Sequence, residues 1–241
     1  MHIKDKLFME RYALKENGAI TIVAFGDSVT HGALSGGEIN HETVYHNRLK
    51  KKLNTIRSYV PVNVINAGVG GLTAKQSVAR LESQVLCHRP DLIIICFGLN
   101  DINEPLSDFL EAMEIIFDKC IKSQSDVIYM SPNMLNTYVA DDTPQGYFEY
   151  ASKLAELQNS GQMDLYIESV IRLAERMGVT VCDCYSEWKK LSGETDTTML
   201  LCNRMNHPNA QMHELFAQKL FEIIAGDIDS ANINSDTMYK E

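Results

Sequence analysis

The 241-residue chain is poor in positive charge, in long apolar runs and in paired cysteine motifs. Lysine and arginine number 22 against 32 aspartates and glutamates, a formal charge of −10. Nucleic-acid binding needs clustered cations to meet phosphates, so that class is disfavoured. The one locally basic stretch, Lys50-Lys51-Lys52, reads as the solvated end of a helix. The first residues, MHIKDKLFMERYALKENG, never place more than three apolar residues in a row, so the h-region of a signal peptide is missing. No stretch approaches a membrane span, and neither a membrane nor a nucleic-acid partner is expected. The six cysteines (Cys87, Cys96, Cys120, Cys182, Cys184, Cys202) form no CxxC pair, and all are expected to be reduced packing residues in a cytoplasmic protein.

Several familiar signatures also fail. No GxxxxGK[ST] phosphate loop occurs, and Thr73 falls where the third glycine of a GxGxxG beginning at Gly68 would be. His41-Glu42 with His46 imitates HExxH with one residue too many, and five helical steps of about 100° turn the second imidazole about 140° away. Ser28 lacks GxSxG spacing because Thr30 holds the last position, which argues against the α/β-hydrolase elbow.

What is present is the composition of an ordinary globular protein, 45% hydrophobic and 22% charged. Short β-branched runs at Ile20–Phe25, Val62–Asn66, Leu92–Phe97, Val127–Met130 and Val179–Asp183 alternate with amphipathic stretches. Such alternation predicts an α/β fold, a doubly wound parallel sheet of about five strands with helices on both faces. Ser107–Lys122 and Ala210–Ile224 carry apolar residues at spacings of three and four and are predicted helices. One domain over residues 1–225 with a polar tail at 226–241 is expected. Segment 133–160, with Tyr138, Tyr147, Phe148 and Tyr150, is long for a connection and is expected to cover a site or hold a short helix.

Ligands of parallel α/β sheets bind at the carboxyl ends of the strands. The residues there are Gly26-Asp27-Ser28, Gly68-Val69-Gly70-Gly71 and Gly98-Leu99-Asn100-Asp101, and Asn206-His207-Pro208-Asn209 precedes the last helix. Acyl transfer needs a nucleophile, a base and donors for an oxyanion. Ser28, expected to be exposed at the sheet edge, supplies the hydroxyl. His207 is the candidate base, with His31 a weaker alternative. The Gly71 and Ser28 N–H groups and the Asn100 amide are candidate donors, and Asp101 is expected to fix its loop.

These four blocks, in this order from Gly26 to His207, resemble the SGNH/GDSL hydrolase family. The resemblance implies a three-layer, flavodoxin-like fold and an esterase, lipase, thioesterase or carbohydrate deacetylase that needs no metal or other cofactor. By position it implies Ser28 as nucleophile, His207 as general base, and Gly71 and Asn100 in the oxyanion hole. A small-molecule ester, with a short acyl or acetyl group on a saccharide, is the expected substrate. One residue departs from the pattern: Arg204 stands three before His207, where the family usually has an aspartate that orients the imidazole. Three readings follow. A backbone carbonyl holds His207, or a carboxylate such as Asp183 or Asp196 does, or the site binds an acylated sugar or lipid without turnover.

Overall fold

A computed structural model describes residues 3–226; the expected polar tail beyond Gly226 lies outside the described residues. Five strands, β1 (Ile20–Gly26), β2 (Val62–Gly68), β3 (Leu92–Cys96), β4 (Asp126–Met130) and β5 (Thr180–Cys182), form one parallel sheet in the order β2-β1-β3-β4-β5. All five predicted strands are present, with ends shifted by one or two residues. The α/β expectation holds. β1 and β3 are buried on both faces because helices cover both, which is why Ile-Ile-Ile-Cys in β3 shows no apolar-polar alternation.

The helices used below are α1 (Ser28–His31), α2 (Tyr45–Leu53), α3 (Ala74–Ser77), α4 (Leu106–Lys122), α5 (Phe148–Asn159), α6 (Gln162–Arg176), α7 (Cys184–Leu191) and α8 (Met212–Ala225). α2 and α8 pack together and reach β2 and β5, while α4 packs against α3 and α6. In α4 the buried residues Phe109, Ala112, Met113, Ile116, Phe117 and Cys120 fall on one stripe, each large one contributing about 1.5–3 kcal/mol by leaving water. Asp108 in its first turn and Lys119 and Lys122 in its last complement the helix dipole. Lys50, Lys51 and Lys52 occupy the last turn of α2 as expected, with Lys52 paired to Glu214 at 2.6 Å. Of the cysteines, Cys96, Cys120, Cys182 and Cys184 are buried, but Cys87 is exposed, contrary to a packing role. Its thiol donates to the Ser83 carbonyl in a short surface turn, so no apolar layer closes over it.

The strand order reverses direction between β1 and β3, and there the connections leave on opposite faces and open a crevice. Gly26, the last residue of β1, is level with Gly68 of β2 and Cys96 of β3. Helix α1 starts immediately above them. A Cβ on Gly26 would collide with Thr30 Oγ1 and the Cys96 carbonyl, and one on Gly68 with the His31 backbone. These two glycines let α1 sit directly on the strand ends.

Candidate active site

Ser28 opens α1, and Asp27 caps the helix by accepting the Val29 N–H on Oδ1 at 3.0 Å. The Ser28 Oγ lies 3.1 Å from Nε2 of His207. Two residues 179 positions apart thus meet at the carboxyl edge of the sheet. Ser28 was expected to be exposed, yet only 6% of its surface is open, because His207 and the β2–α3 turn close over it.

The turn bearing His207 is built for rigidity. Leu201 and Pro208 pair across it, and the Cys202 N–H donates to the His207 carbonyl at 2.8 Å. Within it, Oδ1 of Asn203 accepts from the N–H groups of Met205, Asn206 and His207 at 3.0–3.1 Å. The imidazole is held at its far nitrogen as well: Nδ1 lies 2.8 Å from the Leu34 carbonyl. A carbonyl only accepts, so Nδ1 carries the proton and Nε2 turns its lone pair to Ser28. Leu34 sits in a tight turn whose Ala33 and Ile39 pair and whose Leu34 N–H donates to Glu38. Burial pulls the His207 pKa below the ordinary 6.5, and the Leu34 bond only partly offsets that.

Neither carboxylate considered for the acid role reaches the ring. Asp183 accepts from Ser131 and Ser186, and Asp196 from the Thr198 N–H and the Tyr138 hydroxyl. Arg204 turns away from His207 and binds Asp142. Of the possible partners for the ring, the backbone carbonyl is the one observed.

The candidate donors lie on the loops that follow β2 and β3. Gly71 adopts φ +80, a turn conformation in which a side chain would be strained. A Cβ on neighbouring Gly70 would stand 3.6 Å from the Ser28 Cβ, so this turn passes close to Ser28. The Asn100 amide donates one N–H to the Leu72 carbonyl at 3.0 Å, leaving the second for a ligand. Asp101 fixes both loops, accepting from the Ala74 N–H at 2.7 Å and the Gly98 N–H at 3.0 Å. Burial raises Asp101 to about 6, and Asp27, fully buried with one oxygen unpartnered, to about 7. His31 lies on α1 with its ring near Gly70 and His41 and makes no bond to Ser28, so the structure brings His207, not His31, to the hydroxyl.

Two groups of residues escaped the sequence reading. Beneath α1, the Thr30 and Tyr45 hydroxyls meet at 3.0 Å, His46 Nε2 bonds the Thr30 carbonyl, and the Tyr45 N–H donates to His213 Nδ1. Burial holds His46 down to about 4 and His213 to about 3, so both stay neutral supports. Their signal was weak, a histidine on each of two apolar helix faces. Asn203 is the other: its side chain caps a turn with no periodic pattern to mark it. Among the described residues no group of three or more His, Cys, Asp or Glu is arranged to hold a metal ion.

The family model for the GDSL-like Lipase/Acylhydrolase family matches residues 24–215, most of the chain and all four strand-end blocks. The chain belongs to this family. As a GDSL-like acylhydrolase it is a carboxylic ester hydrolase. Solved structures share its fold: an acetyl xylan esterase (20% identical, covering 85% of this chain and 100% of that one, TM-score 0.66) and an acetylxylan esterase from Geobacillus stearothermophilus (19%, 86% and 94%, 0.66). An α/β hydrolase from the metagenome of Lake Arreo, Spain, is similar to the same degree (19%, 88% and 98%, TM-score 0.66). Among curated proteins, an uncharacterized lipoprotein of Bacillus subtilis (strain 168) is 32% identical over 82 residues, which cover 33% of this chain and 31% of that protein.

Proposed function

We propose that this GDSL-like acylhydrolase cleaves short-chain esters, acetyl groups on a saccharide foremost, through an acyl-enzyme on Ser28 with His207 as its single acid-base partner. The observation that carries this reading is the 3.1 Å contact of Ser28 Oγ with His207 Nε2 while Nδ1 is held by the Leu34 carbonyl. Nε2 accepts the hydroxyl proton as Oγ attacks the ester carbonyl. The oxyanion that forms is met by the Gly71 and Ser28 N–H groups and the free N–H of Asn100, each such donor worth about 10²–10³ in turnover. The imidazolium then protonates the leaving alcohol. Water enters by the same route in reverse, giving its proton to Nε2 as it attacks the acyl-enzyme, and Ser28 is released with the carboxylic acid.

A backbone carbonyl can replace the usual aspartate because the larger part of that residue's work is to fix tautomer and orientation. Leu34 fixes both. It brings no charge, so the imidazolium is stabilised less than beside a carboxylate. The substrate reading is supported by the turn passing close to Ser28, which suits a small acyl group, and by the acetylxylan esterases of similar fold. The net charge of −10 does not attract polyanions and accords with a neutral ester.

Purified protein is expected to hydrolyse p-nitrophenyl acetate much faster than p-nitrophenyl palmitate and to release acetate from acetylated xylo-oligosaccharides. Ser28→Ala and His207→Ala should each lose at least about 10³ in kcat. Turnover by Ser28→Ala equal to that of the unaltered protein would sink the assignment.

A further inference from the structure

One opening beside Ser28 has no part in the mechanism above. Ser28 and His31 stand three residues apart on α1, a spacing that puts their Cβ atoms roughly 5–6 Å apart on one helix face. The β2–α3 turn runs past both at Gly70. A Cβ there would stand 3.6 Å from the Ser28 Cβ and 3.9 Å from Nδ1 of His31, both ordinary contact distances. Glycine at this position therefore leaves a gap between the turn and α1, with Ser28 on one side and the His31 ring on the other. Gly70 is itself exposed, so the gap opens to solvent. Unlike Gly71, Gly70 has no positive φ, so what glycine supplies here is space and not a special backbone conformation.

His31 is fixed at its backbone and free at its ring. Its N–H donates to the Asp27 carbonyl at 2.9 Å, its carbonyl accepts from the Asn66 amide at 3.2 Å, and Gly68 packs against its main chain. Among the described residues no group hydrogen-bonds the imidazole. The ring beside it is that of His41, itself exposed, with centroids 6.2 Å apart and a tilt of 50°. His31 thus keeps one wall of the gap in place and turns an unpaired nitrogen toward it.

The tetrahedral carbon formed on Ser28 carries Oγ, the oxyanion, the leaving alcohol and the acyl chain. The alcohol must lie within reach of His207, which protonates it, and the oxyanion belongs to its donors. We propose that the gap between Gly70 and His31 takes the fourth group, the acyl chain, and that His31 limits its length. This rests on the esterase reading above. An acetyl group ends in one methyl and leaves Nδ1 of His31 hydrated. A butyryl chain lays two further carbons against that nitrogen and strips its water while offering no hydrogen bond, and a polar group withdrawn from water unpaired is destabilising. His31 thus adds a chemical limit to the steric one set by the turn.

Two substitutions test this with opposite signs. His31→Leu keeps the bulk of the wall and removes the nitrogen, so the ratio of kcat/KM for p-nitrophenyl acetate to that for p-nitrophenyl butyrate should fall roughly tenfold. Gly70→Ala narrows the gap without straining the backbone, and the same ratio should rise about three- to tenfold as the longer chain loses its path. Denaturant midpoints equal to that of the unaltered protein show that neither shift comes from a loosened fold. A ratio that stays put, or moves the other way, in either variant overturns the proposal. So does an effect confined to the alcohol, read as a changed ratio between acetylated xylo-oligosaccharide and p-nitrophenyl acetate while the acetate-to-butyrate ratio holds. If the unaltered protein neither hydrolyses esters nor reacts at Ser28, the esterase reading itself fails; an active protein with unmoved ratios is the failure of the acyl site alone.

Discussion

His207 stands beside a carbonyl rather than a carboxylate, and under the proposed mechanism this has a consequence for pH. General-base action needs the neutral imidazole, and burial keeps the ring neutral to lower pH than an exposed histidine. The acid limb of kcat/KM is therefore expected to have its midpoint below 6.5; a midpoint above it would mean that an unseen negative charge stabilises the imidazolium. The residues on either side of this bond were unequally legible in the sequence. Ser28 and His207 stood in recognisable blocks, and Arg204 was visible as a departure. The Leu34 carbonyl was not, because a backbone acceptor leaves no side-chain signature and becomes specific only when the turn at residues 33–39 places it. Asp142 was hidden for another reason: it lies 62 residues from Arg204 in a polar stretch where one more aspartate carries no pattern.

At the level of elements, α1 is the most tightly constrained. It rests on the ends of β1 and β2 through Gly26 and Gly68, and the β2–α3 turn passes close to Ser28. Gly68→Ala should force α1 upward and cost about 1–3 kcal/mol in stability, measured by denaturant unfolding, with activity falling as Ser28 leaves His207. A stable, fully active variant would show that α1 has room to spare. Strands and amphipathic helices were legible because period-2 and period-3.6 patterns follow from burial on one or both faces. Segment 133–160 was recognised as unusual, and its later half is α5, whose buried residues Ala151, Leu154, Ala155 and Gln158 leave a weak stripe. Its first half has no regular structure and is held by Asn133 and Asn136, whose amides replace the missing backbone ladder.

Across the whole molecule, buried titratable groups pull stability in opposite directions. Asp27 and Asp101 have folded-state pKa values raised to about 7 and about 6, so the stability they allow is complete below about pH 4 and is lost as pH rises through those values. His46 and His213, lowered to about 4 and about 3, act the other way: stability is complete above about pH 6.5 and falls as the pH drops towards those values. Asp27→Asn removes one of these dependences while leaving an oxygen to cap α1. Its melting temperature relative to the unaltered protein should be more favourable at pH 8 than at pH 5, and an equal difference at the two pH values would show that Asp27 is ionised in the fold throughout.

The account as a whole turns on one nucleophile made reactive by one histidine, at the point where the sheet order β2-β1-β3-β4-β5 opens between β1 and β3. Its most direct test is reaction with a fluorophosphonate followed by peptide mass spectrometry. A single adduct on Ser28, forming far more slowly in His207→Ala, is the predicted result. No adduct, an adduct on another residue, or a rate indifferent to His207 would contradict it.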